Sequence, residues 1–130
     1  MNELIFTSYL FFIPAVYSYY ISIYELSILN TIVGIASIIY WRNPSSKNGL
    51  LLDLCMSRIS GLTYLVYGYN HVTDTSIRKY AYVNLSIIIF FYTLSNVLYR
   101  LEYKKWVYSH MGFHIFSVVS KIMILSQIRR

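Results

Sequence analysis

An all-α bundle of membrane-spanning helices is the fold this sequence predicts, and three observations predict it. Only 12% of the 130 residues are charged and 57% are hydrophobic, whereas a soluble domain carries about 25% charged residues. The mean hydropathy is +0.51. The basic residues gather in short clusters, "WRNPSSK", "IRK", "YKKW" and "QIRR", between long apolar runs. A globule of this size with so few charges would show water large apolar patches. A bilayer removes that difficulty, and Lys/Arg clusters are the usual flanks of its spans.

A span needs about 20 apolar residues, with about 17 as a lower limit. The first apolar run, Leu4 to Tyr40, is interrupted only by Glu25 and scattered Ser, Asn and Thr. As one helix it would be roughly 55 Å long, nearly twice the hydrocarbon thickness. Two spans of about 17 residues, joined by a tight turn near "IYELS", fit better and suit a thin membrane of the ER type. Pro14 falls in the first of them and is expected to kink it. Leu50 to Tyr69 is the third span, Tyr80 to Tyr99 the fourth, and Trp106 to Gln127 the fifth. Four crossings result if the first run is instead one tilted span with an interfacial helix.

Five spans put the N-terminus, the Arg42–Lys47 loop and the Arg100–Lys105 loop on one side, side A, with Trp41 and Trp106 as interfacial anchors. Side A has Arg42, Lys47, Arg100, Lys104 and Lys105. Side B has Arg78, Lys79, Arg129 and Arg130. The slight excess leans toward side A facing the cytoplasm.

Other classes are disfavoured. The net charge is +6, but no basic face or aromatic-basic motif marks a nucleic-acid binder. The single cysteine, Cys55, forbids an internal disulfide. "MNELIF" has no basic n-region, so the first apolar run is expected to be retained rather than cleaved. No internal repeat or soluble segment interrupts the chain, and residues 1–130 read as a single integral membrane domain.

The polar residues inside the spans share faces. His110, His114, Ser117 and Lys121 follow steps of four, three and four, which is one helical line. Asp53, Ser57, Ser60 and Tyr64 form a second, and Asn30, Gly34, Ser37 and Trp41 a third. Polar groups are costly against lipid, so the three lines are expected to turn inward. Ser37, Asp53, His110 and His114 all fall near side A, whereas His71 lies across the bilayer. Two histidines four apart can chelate a metal from one helix face. The plainer readings are that the histidines are interhelical hydrogen-bonders and that Asp53 caps a helix. Lys121 then snorkels to side B, and Arg58 pairs with Asp53 or Glu102.

The stretches "SIIYWRNPSSKNGLLLDLCM" and "YSHMGFHIFS" resemble the superfamily of membrane hydrolases that includes alkaline ceramidases and progestin/adiponectin-type receptors. The resemblance covers about a third of the chain. In that superfamily three histidines hold zinc, and the metal activates a water that cleaves an amide bond in a lipid. The resemblance aligns Ser37 with the family's serine, Asp53 with its aspartate, and His110 and His114 with its histidine pair. It implies zinc on His110 and His114, with Asp53 as third ligand or water-positioning group and Ser37 as a donor to the oxyanion. Trp41 stands where the family has its first histidine, and the family has seven spans where this chain has room for five.

Three functional readings follow. One is a multi-spanning membrane protein without catalysis, a degenerate relative of those hydrolases whose polar lines glue helices together, alone or as a subunit of a larger complex. The second is an active zinc-dependent lipid-amide hydrolase with a lipid ligand. The third is an oligomeric channel or transporter subunit, for which no TVGYG-type filter is visible.

Overall fold

Pro14 shapes the first element. It has no N–H to give the carbonyl four residues earlier, and in the computed structural model, which describes residues 2–128, regular α-helix gives way just there. Helix α1 (Asn2–Ser8) passes through a 3₁₀ turn (Tyr9–Phe11) into α2 (Phe12–Tyr20). Ser8, Phe11 and Phe12 keep right-handed helical backbone, so the three pieces form one rod with a tightened turn in it. Arg129 and Arg130, counted above among the flanking cations, lie outside the described residues.

The chain reverses at Ile21–Ile23, just ahead of and overlapping the expected turn. Ser22 takes the left-handed conformation (φ 62°), and Ile23 plugs into the interior, 1% exposed. Helix α3 (Tyr24–Arg42) follows, with Glu25 in its first turn, where the helix dipole favours an acid. Ser27 Oγ donates to Ala15 O at 2.8 Å and ties α3 back to α2. Ser46 caps α4 (Lys47–His71) by accepting from Gly49 N at 3.0 Å. Asp74 caps α5 (Thr75–Arg100) by accepting from Ile77 N at 3.0 Å. Arg78 closes the same loop with two bonds to Val72 O, at 3.1 and 2.9 Å. A turn with Glu102 at φ 56° leads to α6 (Trp106–Gln127).

The described residues are thus all-helical, with no strand. Three helices, α3, α4 and α5, are long and apolar enough to cross a membrane. The first rod is broken into pieces too short for that test, and α6 has 22 residues but carries His110, His114 and Lys121.

The packing is a ring of four rods with a fifth outside it. The α1–α2 rod lies between α3 and α6, and α4 closes the ring on the other side by touching the same two helices. Helices α3 and α6 face each other diagonally without backbone contact. Helix α5 packs on α6 alone among the helices, and it does not pack on α4, to which only three residues join it. An apolar cluster of Ile23, Leu26, Val72, Ile124 and Leu125 around Tyr64 fills one end of the ring. Phe11, Val33 and Val118 form a second apolar layer nearer the middle.

Polarity is inverted relative to a water-soluble globule. Asn30, Ser37, Ser60, His114 and Lys121 are buried, while Tyr80, Val83, Ile89, Phe90 and Val97 of α5 face outward. A bilayer satisfies such a surface.

Helix α5 reaches α6 closely because Gly112 has no side chain. A Cβ there would come within 2.9 Å of the Phe91 ring, which is itself stacked on Phe116 at 14°, so the ring gives way only by disturbing that stack. Gly112→Ala is therefore expected to lower stability by about 1–3 kcal/mol, measured by denaturant unfolding in mild detergent. Gly61→Ala, whose Cβ meets nothing within 4 Å, serves as the matched control and should leave the midpoint unchanged or slightly raised.

Candidate functional site

The α3 line turns inward along its whole length: Asn30, Gly34, Ser37 and Trp41 are all buried. On α6, His114 and Lys121 are buried and His110 is half-buried, with Val118 rather than Ser117 as the intervening buried position. On α4, Ser60 and Tyr64 are buried, while Asp53 and Ser57 are only half-buried. The lines therefore meet within the ring, but not over the whole depth.

Two polar layers result, with Phe11 between them. The layer toward side A holds Thr7, Ser8, Ser37 and His114. His114 Nδ1 lies 2.9 Å from Thr7 Oγ1. Ser8 Oγ donates to Leu4 O at 2.7 Å and sits 2.8 Å from Ser37 Oγ. A hydroxyl has one hydrogen to give. With that of Ser8 committed to Leu4, Ser37 donates to Ser8 in this pair. His110 stacks edge-on to His114, centroids 4.9 Å apart, and its Nδ1 lies 3.4 Å from Ser95 Oγ of α5.

Trp41 takes part in this layer directly. Its indole lies edge-on to His110 at 5.1 Å and 5.8 Å from Trp106. Trp41 thus meets His110 with an indole, which offers no ligand atom to a metal. Trp41 Nε1 is buried without a hydrogen-bond partner.

The deeper layer holds Lys121, Asn30 and Tyr64. Lys121 does not snorkel; it is 6% exposed and its Nζ donates to Asn30 Oδ1 at 3.1 Å. Asn30 Nδ2 donates to Leu26 O at 2.8 Å and to Tyr64 Oη at 2.6 Å. One asparagine therefore links α3, α4 and α6.

Asp53 stays apart. It lies inside α4, whose cap is Ser46, so it is not the N-cap that its acidity suggested. Among the described residues no group of three or more His, Cys, Asp and Glu side chains is placed to hold a metal. Arg58, expected to pair with Asp53 or Glu102, points outward and is exposed.

Two surface grooves lie elsewhere. One of about 410 Å³ is lined by Tyr99, Arg100, Glu102, Lys104 and Trp106. The other, about 690 Å³, runs over Phe12, Ile13, Val16, Tyr17, Tyr20 and Ile122.

Sequence reading missed Thr7, Ser8, Asn84 and Ser95. The first two were visible in principle, because Leu4, Thr7, Ser8, Phe11, Ala15 and Ser18 are a three-four stripe of buried positions. Asn84 and Ser95 look like isolated polar residues in a span. Asn84 Nδ2 in fact reaches Phe116 O at 3.0 Å and, with Ser95, fastens α5 to α6.

Asn30→Leu leaves both the Lys121 ammonium and the Tyr64 hydroxyl short of a partner. The expected loss is on the order of 2 kcal/mol. Adding Lys121→Met removes the stranded charge, so the double variant should be more stable than the sum of the single losses. A four-species unfolding cycle in detergent measures the coupling.

No family model matches this chain, and no curated protein and no solved structure matches it either.

Proposed function

We propose that this chain is a small multi-pass membrane protein whose buried polar groups lock helices together rather than perform hydrolysis. One observation carries the reading: the would-be catalytic groups are spent on neighbours within the fold. Ser37 is bonded to Ser8, His114 to Thr7, and His110 is wedged between Trp41 and His114. Hydrogen bonds of this kind contribute about 0.6 kcal/mol each on average between membrane helices, and several act here at once. On this reading the chain is a non-catalytic relative of the zinc-dependent lipid-amide hydrolases, with the bilayer as its solvent.

Five crossings, with both termini on opposite sides, complete the proposal. Support comes from Trp41 and Trp106, which meet at one end of the ring 5.8 Å apart, as anchors at one interface do. Single cysteines at Ser45 and Lys104, in a Cys55→Ser background, should label from one face of sealed vesicles. Cysteines at Ser22 and Thr73 should label from the other. Ser45 and Lys104 labelling from opposite faces would refute five crossings.

The hydrolase reading keeps one observation in its favour, the adjacency of the two imidazoles at 4.9 Å. Metal analysis separates the readings. The packing role predicts equal, substoichiometric zinc in the purified wild-type protein and in His110→Ala/His114→Ala. Stoichiometric zinc that disappears in the double variant would restore the hydrolase.

A further inference from the structure

Arg58 is a cation in the middle of a span that the fold leaves facing outward. It lies eight residues inside Leu50 and eleven inside Tyr69, the ends of its apolar run, or roughly 12 and 16 Å along the helix axis. A guanidinium keeps its charge in any setting a protein offers. Near a helix end it escapes by stretching to the interface. From mid-span the side chain covers only part of either distance.

Nothing in the fold answers this charge. Among the described residues Arg58 has no hydrogen bond and no ion pair. Glu3, Glu25 and Asp74 stand at helix starts and Glu102 in a turn. Asp53 lies roughly 7.5 Å nearer side A and about 140° around α4 from Arg58, on the face of Ser60 and Tyr64. Helix α5 does not pack on α4 and contains no carboxylate. The surface around Arg58 has the form of a seam. Leu51, Cys55, Arg58, Leu62 and Leu65 are exposed and follow steps of four, three, four and three, the spacing one helix offers another at a shallow crossing angle. Gly61 borders Arg58 on this face, and a Cβ there would meet nothing within 4 Å, so a second backbone can come close.

We propose that the outward face of α4 docks a transmembrane helix of another protein, one with a carboxylate at mid-span that pairs with Arg58. Charge chooses the occupant. Lipid tails leave the guanidinium unanswered. A second copy of this chain, packed symmetrically through the same face, sets Arg58 against Arg58 across the two-fold axis. A carboxylate accepts two parallel hydrogen bonds from the planar fork, and charges inside membranes characteristically pair with one another. The docking needs only that α4 spans, which its length and composition allow; it stands whatever the number of crossings.

The test reconstitutes the full chain in phosphatidylcholine vesicles with synthetic leucine-rich spanning peptides. Each peptide carries one cysteine three residues ahead of a central Asp, Leu or Lys, which matches the spacing of Cys55 and Arg58. Disulfide trapping at Cys55 under mild oxidation reads the docking. The Asp peptide should be trapped at about tenfold lower peptide-to-lipid ratio than the Leu peptide, and the Lys peptide least of all. Arg58→Leu should erase the preference for Asp, Arg58→Lys should keep part of it, and Arg58→Asp should turn it toward the Lys peptide. Arg58 is exposed and bonded to nothing in the fold, so Arg58→Leu and Arg58→Lys should keep the wild-type unfolding midpoint or raise it. Equal trapping of the three peptides by the wild type overturns the proposal, as does an Asp preference that survives Arg58→Leu. A Cys55–Cys55 dimer that the Asp peptide does not displace assigns the face to a second copy. Loss of the preference when half the lipid is phosphatidylglycerol assigns Arg58 to lipid phosphate. Either result overturns the proposal too.

Discussion

The bond from Lys121 to Asn30 is the constraint on which the ring depends. Helices α3 and α6 face each other across its centre without backbone contact, and at this depth the polar tie between them is the 3.1 Å bond from ammonium to amide. Asn30 then passes the linkage to Tyr64 on α4. In lipid there is no hydrophobic drive to press helices together, because the tails are as apolar as the side chains. Association must come from packing and from polar groups that have nowhere else to go. A lysine inserted near the centre of a span costs about 2.5–3.5 kcal/mol on insertion scales, and that cost is met only in the arrangement that brings Asn30 and two aromatic faces to it. The same residue that makes α6 less apolar thus specifies which neighbours α6 must have.

Layering follows from this. Polar side chains at one depth cannot be replaced by those at another, because an apolar band of Phe11, Val33 and Val118 intervenes. Sliding α6 by a turn would carry Lys121 into that band and His114 away from Thr7. Register is therefore set by mismatch as much as by attraction, in the way a single buried polar residue sets the register of a coiled coil. Trp41 and Trp106 add a fixed end, since both sit beside basic loops and meet at the same rim.

Much of the architecture could be read from the chain because its signals are local. The helical class, the inward turn of Asn30, Ser37 and Trp41, and the disturbance at Pro14 follow from spacing and from the chemistry of one ring. The caps did not: Ser46 and Asp74 are ordinary polar residues among several, and Asp53, the more conspicuous acid, lies inside a helix instead of opening one. The histidine line was legible as a line but not in its partners, since Thr7 and Ser95 come from distant helices and only the packing brings them near. Lys121 was misjudged for a physical reason. Length lets a lysine reach the interface, but the choice between reaching out and staying in depends on whether an acceptor waits inside, which periodicity cannot say. The exterior placement of α5 was equally hidden, because its sequence is as apolar as that of any central helix and burial in protein and burial in lipid select the same residues.

The attachment of α5 to α6 alone bears on how the molecule is made. The α5–α6 hairpin is held by Asn84, Ser95 and the Phe91–Phe116 stack, yet Lys121 and His114 on its inner arm find their partners in the first half of the chain. Its outer arm is therefore fastened through one neighbour, while its inner arm belongs to both halves of the molecule. The lysine on that inner arm is the latch between the two halves.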